Sequence, residues 1–145
     1  GDCEGARAVY AGDGGLPAFL ARCNYLVCVL PLTPATRGIL DADLLAQLPR
    51  GAYVINVSRG AMVRQADLIA SLRSGQLSGA ALDVFYDEPR IDPAFFTMPN
   101  VVLTPHMASG TFETRRAMAD RLLDNLAAGL QKQRMPSAVP ECQHL

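Results

Sequence analysis

Three side chains suited to acid–base and anion-binding chemistry each lie shortly after an apolar run: Arg59, Glu88 and His106. The runs are of the kind that form buried strands of a parallel sheet: 53–57, 80–82 and 101–103. In an open parallel sheet, ligands bind in the crevice outside the carboxyl ends of the strands. We therefore expect the three side chains to converge on one site.

These residue types suit the reduction of a ketone that carries a neighbouring carboxylate. Arg59 can meet the carboxylate with two parallel hydrogen bonds, which lysine cannot do. His106 can protonate the carbonyl oxygen, because an imidazole titrates near neutral pH. Glu88 can accept a hydrogen bond from the other imidazole nitrogen, which fixes the tautomer and favours the charged form. The pattern predicts these three as catalytic residues.

Each residue also has an ordinary structural interpretation. Arg59 alone is typical of a solvated turn, Glu88 of a loop, and His106 of a structural histidine; their joint placement at three strand ends favours the functional interpretation. Asp83 lies in an apolar context, and a buried carboxylate needs a partner. That partner could be a cofactor amide or a backbone donor, and both remain open.

The composition predicts one soluble, cytoplasmic domain with a real core. The chain has 145 residues, half of them hydrophobic, and a formal net charge of −1, which gives no basis for binding nucleic acid or an anionic membrane. Its apolar runs fall short of the ~20 residues that span a bilayer. Four cysteines without Cys-x-x-Cys spacing, and two histidines, predict reduced thiols and no metal site.

Apolar runs alternate with helical patterns along the chain, which predicts an α/β fold with a doubly wound parallel sheet. Strands are expected at 6–11, 25–30 (covered on both faces), 52–57, 80–84 (flanked by glycine) and 101–103. Helices are expected at 16–22, 42–48 (capped by Asp41), 64–74, one turn at 94–96, and 111–130. The last helix could cover the sheet or reach another domain.

Three further features receive ordinary interpretations. The glycines of 12–15 begin a phosphate-loop pattern, but Pro17 occupies the place of its third glycine, so we interpret them as a turn. Ser58 lacks the Gly-x-Ser-x-Gly context of a nucleophile. His144 and Cys142 lie in an irregular tail, and we expect no metal there.

Four motifs resemble the D-isomer-specific 2-hydroxyacid dehydrogenases: Leu30-Pro31-Leu32-Thr33-Pro34-x-Thr36-Arg37, Asn56-Val57-Ser58-Arg59-Gly60, Gly79-Ala80-Ala81-Leu82-Asp83-Val84-Phe85-x-x-Glu88-Pro89, and Pro99-Asn100-Val101-Val102-Leu103-Thr104-Pro105-His106. The resemblance covers roughly residues 18–130 and is highly specific. The segment 107–115 looks most like the glyoxylate, hydroxypyruvate and hydroxyphenylpyruvate reductases of that family, many of which prefer NADPH.

The resemblance implies a Rossmann-like fold, an NAD(P) cofactor with a preference for NADPH, and reduction of small 2-oxo acids to D-2-hydroxy acids. Arg59, Glu88 and His106 would be catalytic. The residues that would line the cofactor are Pro31, Leu32, Val57, Ser58, Arg59, Asp83, His106 and Ser109. A homodimer is the implied assembly of the full-length enzyme.

The chain departs from the family in what it lacks: a substrate domain, and the first βαβ unit with its glycine-rich loop. We therefore expect residues 1–145 to be the carboxyl-terminal part of the nucleotide-binding domain, with 111–145 reaching towards a missing substrate domain. The strand at 6–11 would have no neighbour, and 25–30 would expose an apolar edge. Two rival hypotheses are an inactive fragment that acts as an assembly or binding module, and a corepressor-like relative.

Overall fold

Four apolar segments form one parallel sheet: β1 (Tyr25–Cys28), β2 (Ala52–Asn56), β3 (Leu77–Leu82) and β4 (Val101–Leu103). They belong to a computed structural model of the chain, which describes residues 5–10 and 14–139. The strands lie in the order β1-β2-β3-β4, so each pairs with the one before it in the chain. The predicted Rossmann-like α/β class is confirmed, and this sheet is wound in one direction, as half of a doubly wound sheet would be.

The two faces of the sheet differ in burial. Leu26, Val54 and Ala80 stand in register across three strands, and each is less than 9% exposed. The residues before Leu26 and Val54 are Tyr25 and Tyr53, whose side chains lie on the other face. They are 66% and 41% exposed and stack with ring centroids 5.2 Å apart. Our expectation that the first strand is covered on both faces was therefore wrong. Right-handed crossovers between adjacent strands bring the connecting helices to one face.

The chain divides into two compact units, of which the first ends at His106. Its helices are α1 (Leu16–Leu20), α2 (Ala42–Ala46), α3 (Gln65–Arg73) and α4 (Pro93–Phe96). Asp41 caps α2 as predicted, because its carboxylate accepts a hydrogen bond from the Leu44 N–H at 3.0 Å. Asp92 does the same for α4 through the Ala94 N–H at 2.9 Å. Leucines of α2 and α3 pack with the buried strand residues in one hydrophobic core.

Three strand predictions need correction. Residues 6–10 form no strand, since none of the described strands pairs with them; Ala11 lies outside the described residues. The first strand ends at Cys28 rather than Leu30. The third runs from Leu77 to Leu82, with Gly79 inside it. A Cβ on Gly79 would lie 2.6 Å from the Asn100 carbonyl oxygen, so this glycine permits close approach of the neighbouring segment.

Residues from Met107 onwards form a second unit, which consists mainly of α5 (Phe112–Leu130). Thr111 caps this helix by accepting a hydrogen bond from the Thr114 N–H at 3.2 Å. Four apolar residues follow one another at a spacing of four along this helix, and each is at least 53% exposed: Met118, Leu122, Leu126 and Leu130. In the described part of the chain, no helix combines the length and apolar character needed to cross a membrane.

Gly60 marks the point of closest approach between the turn after β2 and the turn after β3. A Cβ at this position would lie 1.9 Å from the Phe85 carbonyl carbon and 2.4 Å from the Tyr86 nitrogen. Backbone atoms cannot move aside as a flexible side chain would, so only glycine fits here. The contact holds together the two turns that carry Arg59 and Glu88.

Replacing Gly60 with alanine should therefore lower the free energy of unfolding by about 1–3 kcal/mol, the usual cost of overpacking. Urea denaturation followed by circular dichroism measures the change. Gly14→Ala is the matched control, because a Cβ there meets no atom within 4 Å. Equal midpoints for the two variants would contradict the close approach.

Candidate active site

Arg59 stands directly after β2, at the carboxyl edge of the sheet. Its backbone is extended, and it precedes a 3-10 turn over Gly60–Met62. Its side chain is exposed, and its Nη1 donates a hydrogen bond to the Ser58 carbonyl oxygen at 2.7 Å. The guanidinium group thus lies at the strand end that the sequence predicts.

Asn56, the last residue of β2, is fully buried and was not singled out from the sequence. Its Oδ1 accepts a hydrogen bond from the Ser58 N–H, and its Nδ2 donates one to the Arg59 carbonyl oxygen, both at 3.0 Å. The Ser58 hydroxyl donates to the Leu30 carbonyl oxygen, which ties this turn to the segment after β1. A polar residue that ends an apolar strand was the available signal.

Glu88 and His106 meet although they follow different strands. The imidazole Nδ1 lies 2.7 Å from Oε2 of Glu88, and Oε1 of the same carboxylate accepts a hydrogen bond from the Phe85 N–H at 2.9 Å. The Glu88 side chain is 35% exposed and that of His106 is 48% exposed. Both oxygens of the carboxylate are therefore engaged at a partly solvated site.

The surroundings of Glu88 favour its ionised form. The hydrogen bond with His106 contributes most to lowering its pKa below the usual value, followed by the backbone N–H of Phe85. Partial burial and the nearby Asp83 carboxylate act in the opposite direction but are outweighed. An ionised Glu88 can only accept hydrogen bonds, so it directs the proton of His106 to Nδ1.

His106 has a left-handed backbone conformation, with φ of 52°. Such a conformation is uncommon for residues other than glycine and is strained. The His106 N–H donates to the Thr104 carbonyl oxygen at 3.0 Å within the same tight turn. The turn directs the imidazole towards Glu88.

Asp83 is buried, as its sequence context predicts, at 5% exposure. The partner that the sequence left open includes a side chain, because the Thr104 hydroxyl donates a hydrogen bond to Oδ1 at 2.6 Å. The Asp83 backbone N–H also donates to the Asn56 carbonyl oxygen at 3.0 Å. Neighbouring strand ends are thus joined by polar contacts, and Thr104 is a second residue that the sequence analysis did not single out.

Two cavities lie at the carboxyl edge of the sheet. The larger, about 530 Å³, brings together five of the residues predicted to line a cofactor or bind substrate: Pro31, Leu32, Val57, Ser58 and Arg59. A cavity of about 170 Å³ lies beside the Glu88–His106 pair. The two share no lining residue. Ser109 belongs to the second unit, and its predicted cofactor contact stays a prediction.

The carboxyl edge of the sheet carries a cation in one cavity, of the size that small molecules occupy, and a paired imidazole beside the other. The structure brings Glu88 and His106 into contact, and the convergence of Arg59 with them stays a prediction. Within residues 5–10 and 14–139, no group of His, Cys, Asp or Glu could hold a metal ion. A Rossmann-like sheet with these groups at its carboxyl edge is typical of nucleotide-dependent dehydrogenase domains. That is the class of protein which the fold and the site define.

The chain belongs to the D-isomer specific 2-hydroxyacid dehydrogenase family: the family's NAD binding domain matches residues 5–108. It is 48% identical over 105 residues to a glyoxylate/hydroxypyruvate reductase A (HPR2) of Arabidopsis thaliana, covering 72% of this chain and 34% of that protein. It is 44% identical over 124 residues to glyoxylate/hydroxypyruvate reductase A of Salmonella paratyphi B, covering 85% and 39%.

Among solved structures, the chain resembles an NADPH-dependent glyoxylate/hydroxypyruvate reductase of Sinorhizobium meliloti, crystallised with NADP and malonate. The TM-score is 0.87 at 35% identity, covering 99% of this chain and 44% of that one. The chain thus spans well under half the length of these relatives. The predicted family membership is confirmed.

The cause assigned to the Glu88 pKa can be tested directly. His106→Ala should raise the pKa of Glu88 towards its usual value, because the largest lowering contribution is removed while the Phe85 N–H remains. Carbon-detected NMR titration of the Glu88 carboxylate measures this pKa. Arg90→Ala is the control, since Arg90 pairs with Asp87 instead; an equal shift in both variants would contradict the assignment.

The same pKa sets a pH dependence of stability. A carboxyl group whose pKa is lower in the folded state stabilises the fold above its unfolded pKa, and this contribution is lost as pH falls through the folded value. The stability advantage of the unsubstituted chain over Glu88→Gln should therefore shrink across that acidic range. Urea midpoints at a series of pH values measure it, and an advantage that grows on acidification would contradict the sign.

Proposed function

We propose that the chain supplies the carboxyl-terminal part of the nucleotide-binding domain of an NAD(P)H-dependent reductase of small 2-oxo acids, of the glyoxylate or hydroxypyruvate type. The observation that supports this proposal most directly is the 2.7 Å contact between His106 and Glu88 at the strand ends, in a chain of this family. Residues 111–145 would reach towards a substrate domain, and the complete enzyme would be a cytoplasmic homodimer with a preference for NADPH.

The larger cavity has the lining that a nicotinamide cofactor needs. Apolar side chains at Leu30, Pro31 and Leu32 offer a surface for a flat ring, while Ser58 and Arg59 supply polar groups. Val57, Asp83 and His106 complete the residues that we assign to the cofactor in this unit. The cofactor contact of Ser109 stays a separate prediction. When bound, the cofactor supplies hydride to the carbonyl carbon of the substrate.

The chain's own residues would divide the remaining work. Arg59 would hold the substrate carboxylate with its planar guanidinium group and so orient the carbonyl carbon. His106 would donate a proton from Nε2 to the carbonyl oxygen as negative charge develops there. Glu88 would keep the imidazole oriented, with a proton on Nδ1.

A chimera tests this function with the missing segments provided. Residues 5–139 replace the matched segment of the Salmonella reductase, and NADPH or NADH oxidation is followed with glyoxylate and with hydroxypyruvate. We expect turnover that depends on the 2-oxo acid. A folded chimera without turnover would overturn the proposal. The isolated chain, assayed in parallel, shows whether the other segments are required.

His106→Gln in the chimera should lower kcat by about 10²- to 10⁴-fold, the usual contribution of a positioned general acid. Its affinity for NADPH should be largely retained, because glutamine preserves the polarity of the position but cannot donate the proton as an acid. Stopped-flow kinetics and fluorescence titration measure the two quantities. Arg90→Ala is the control with unchanged kcat; an unchanged rate in His106→Gln would remove this residue from the acid role.

Arg59→Lys should raise the KM for glyoxylate by about tenfold, because lysine keeps the charge but loses the bidentate geometry. The KM for NADPH should change much less. Arg73→Lys, in the last turn of α3, makes the same chemical change away from the strand ends and serves as the control. Equal effects of the two substitutions on the glyoxylate KM would argue against carboxylate binding by Arg59.

A further inference from the structure

Asn56 is distinguished by its burial. It is 0% exposed, whereas Arg59, three residues later, is exposed to solvent. A buried carboxamide must satisfy both its acceptor and its donor, or it destabilises the fold. Asn56 satisfies both with the backbone of a single turn, the one that carries Arg59.

The two hydrogen bonds fix the turn at successive points. The Ser58 N–H is held by Oδ1, and the Arg59 carbonyl oxygen is held by Nδ2. One rigid planar group therefore constrains the peptide unit before the Ser58 Cα and the peptide unit after the Arg59 Cα, and Arg59 lies between them. The Asn56 carbonyl oxygen is itself held by the Asp83 N–H at 3.0 Å. This bond also fixes Asn56, and with it the turn, relative to the end of β3, the next strand of the sheet.

The guanidinium group needs this constraint because little else holds it. Its one hydrogen bond within the described residues, from Nη1, goes to the adjacent Ser58 carbonyl oxygen, which moves with the same turn. An arginine side chain loses rotamer entropy when it is fixed, so a mobile backbone beneath it would weaken substrate binding further.

We propose that Asn56 is a positioning residue for Arg59: its buried carboxamide sets the direction in which the guanidinium group leaves the turn and thereby controls affinity for the 2-oxo acid carboxylate. This inference rests on the proposed function. It adds a residue that touches neither substrate nor cofactor, and it locates the control of substrate affinity beneath the site.

The first experiment uses the chain itself and needs no activity. In Asn56→Leu, which matches the shape of asparagine without its polar groups, the Ser58 amide should exchange with solvent at least about tenfold faster than in the unsubstituted chain. Hydrogen exchange followed by NMR measures this, with amides in the interior of β2 as the internal reference. An unchanged exchange rate at Ser58 would overturn the proposal.

The second experiment measures the consequence for substrate in the chimera. Asn56→Leu should raise the KM for glyoxylate by about tenfold or more, with a much smaller change in the KM for NADPH. Asn100→Leu is the matched control, because its carboxamide is exposed and donates to the Ser78 carbonyl oxygen far from Arg59 in the chain. Equal rises in both KM values would show a general disturbance of the turn and overturn the positioning role.

Asn56→Asp provides a rescue that a merely structural role would not produce. A protonated aspartic acid can accept from the Ser58 N–H and donate to the Arg59 carbonyl oxygen, as asparagine does, whereas the carboxylate can only accept. At each pH, the KM for glyoxylate of this variant is divided by that of the unsubstituted chimera. This ratio should fall towards one as the pH is lowered. The other ionisable groups at these strand ends, Asp83, Glu88 and His106, are the same in both proteins, so the ratio isolates the substituted residue.

The failure modes are distinguishable. An inactive unsubstituted chimera overturns the proposed function, while hydrogen exchange in the isolated chain still decides whether Asn56 holds the turn. An active chimera whose Asn56→Asp variant shows a raised KM ratio that does not fall on acidification overturns the positioning role alone. If Asn56→Leu does not fold, Asn56→Asp carries the KM measurement, because its carboxylate loses the bond to the Arg59 carbonyl oxygen.

Discussion

The parallel register of the four strands is the constraint on which the rest of the structure depends. Because β1 to β4 run in the same direction, their carboxyl ends lie along one edge, and the residues after each strand become neighbours in space. The contact between Glu88 and His106 follows from this arrangement, since the two residues come after β3 and β4. Antiparallel pairing would place them at opposite edges.

The parallel register brings the strand ends together, and polar contacts then fix their positions relative to one another. Ser58 bonds to the segment after β1, the Asp83 backbone bonds to Asn56, and the Thr104 hydroxyl bonds to the Asp83 carboxylate. Gly60 adds a backbone contact that no larger residue permits. Hydrogen bonds in such a low-dielectric setting fix geometry as well as stability, because each unmade bond leaves a buried polar atom without a partner.

The sequence predicted well those elements whose formation depends on a single segment of the chain. The β4 bounds, the Asp41 cap and the long α5 helix follow from local pattern and capping chemistry, and the structure agrees. Residues 6–10 and the exposed face of β1 could not be predicted locally, because pairing and coverage depend on which neighbours are present.

The site divides in the same way. Residue types and strand ends predicted that Glu88 and His106 would approach each other, but the left-handed backbone of His106 has no local sequence signal. Asn56 and Thr104 escaped notice because their importance lies in bonds to atoms that only the folded chain brings near. The sequence shows that Asp83 is buried; only the structure shows a partner.

The strand order has a consequence for how the sheet assembles. Each of β2, β3 and β4 pairs with the strand before it in the chain. Each pairing therefore joins two segments separated by a single crossover. Loop closure that involves short separations costs less entropy and favours faster folding than distant pairing does.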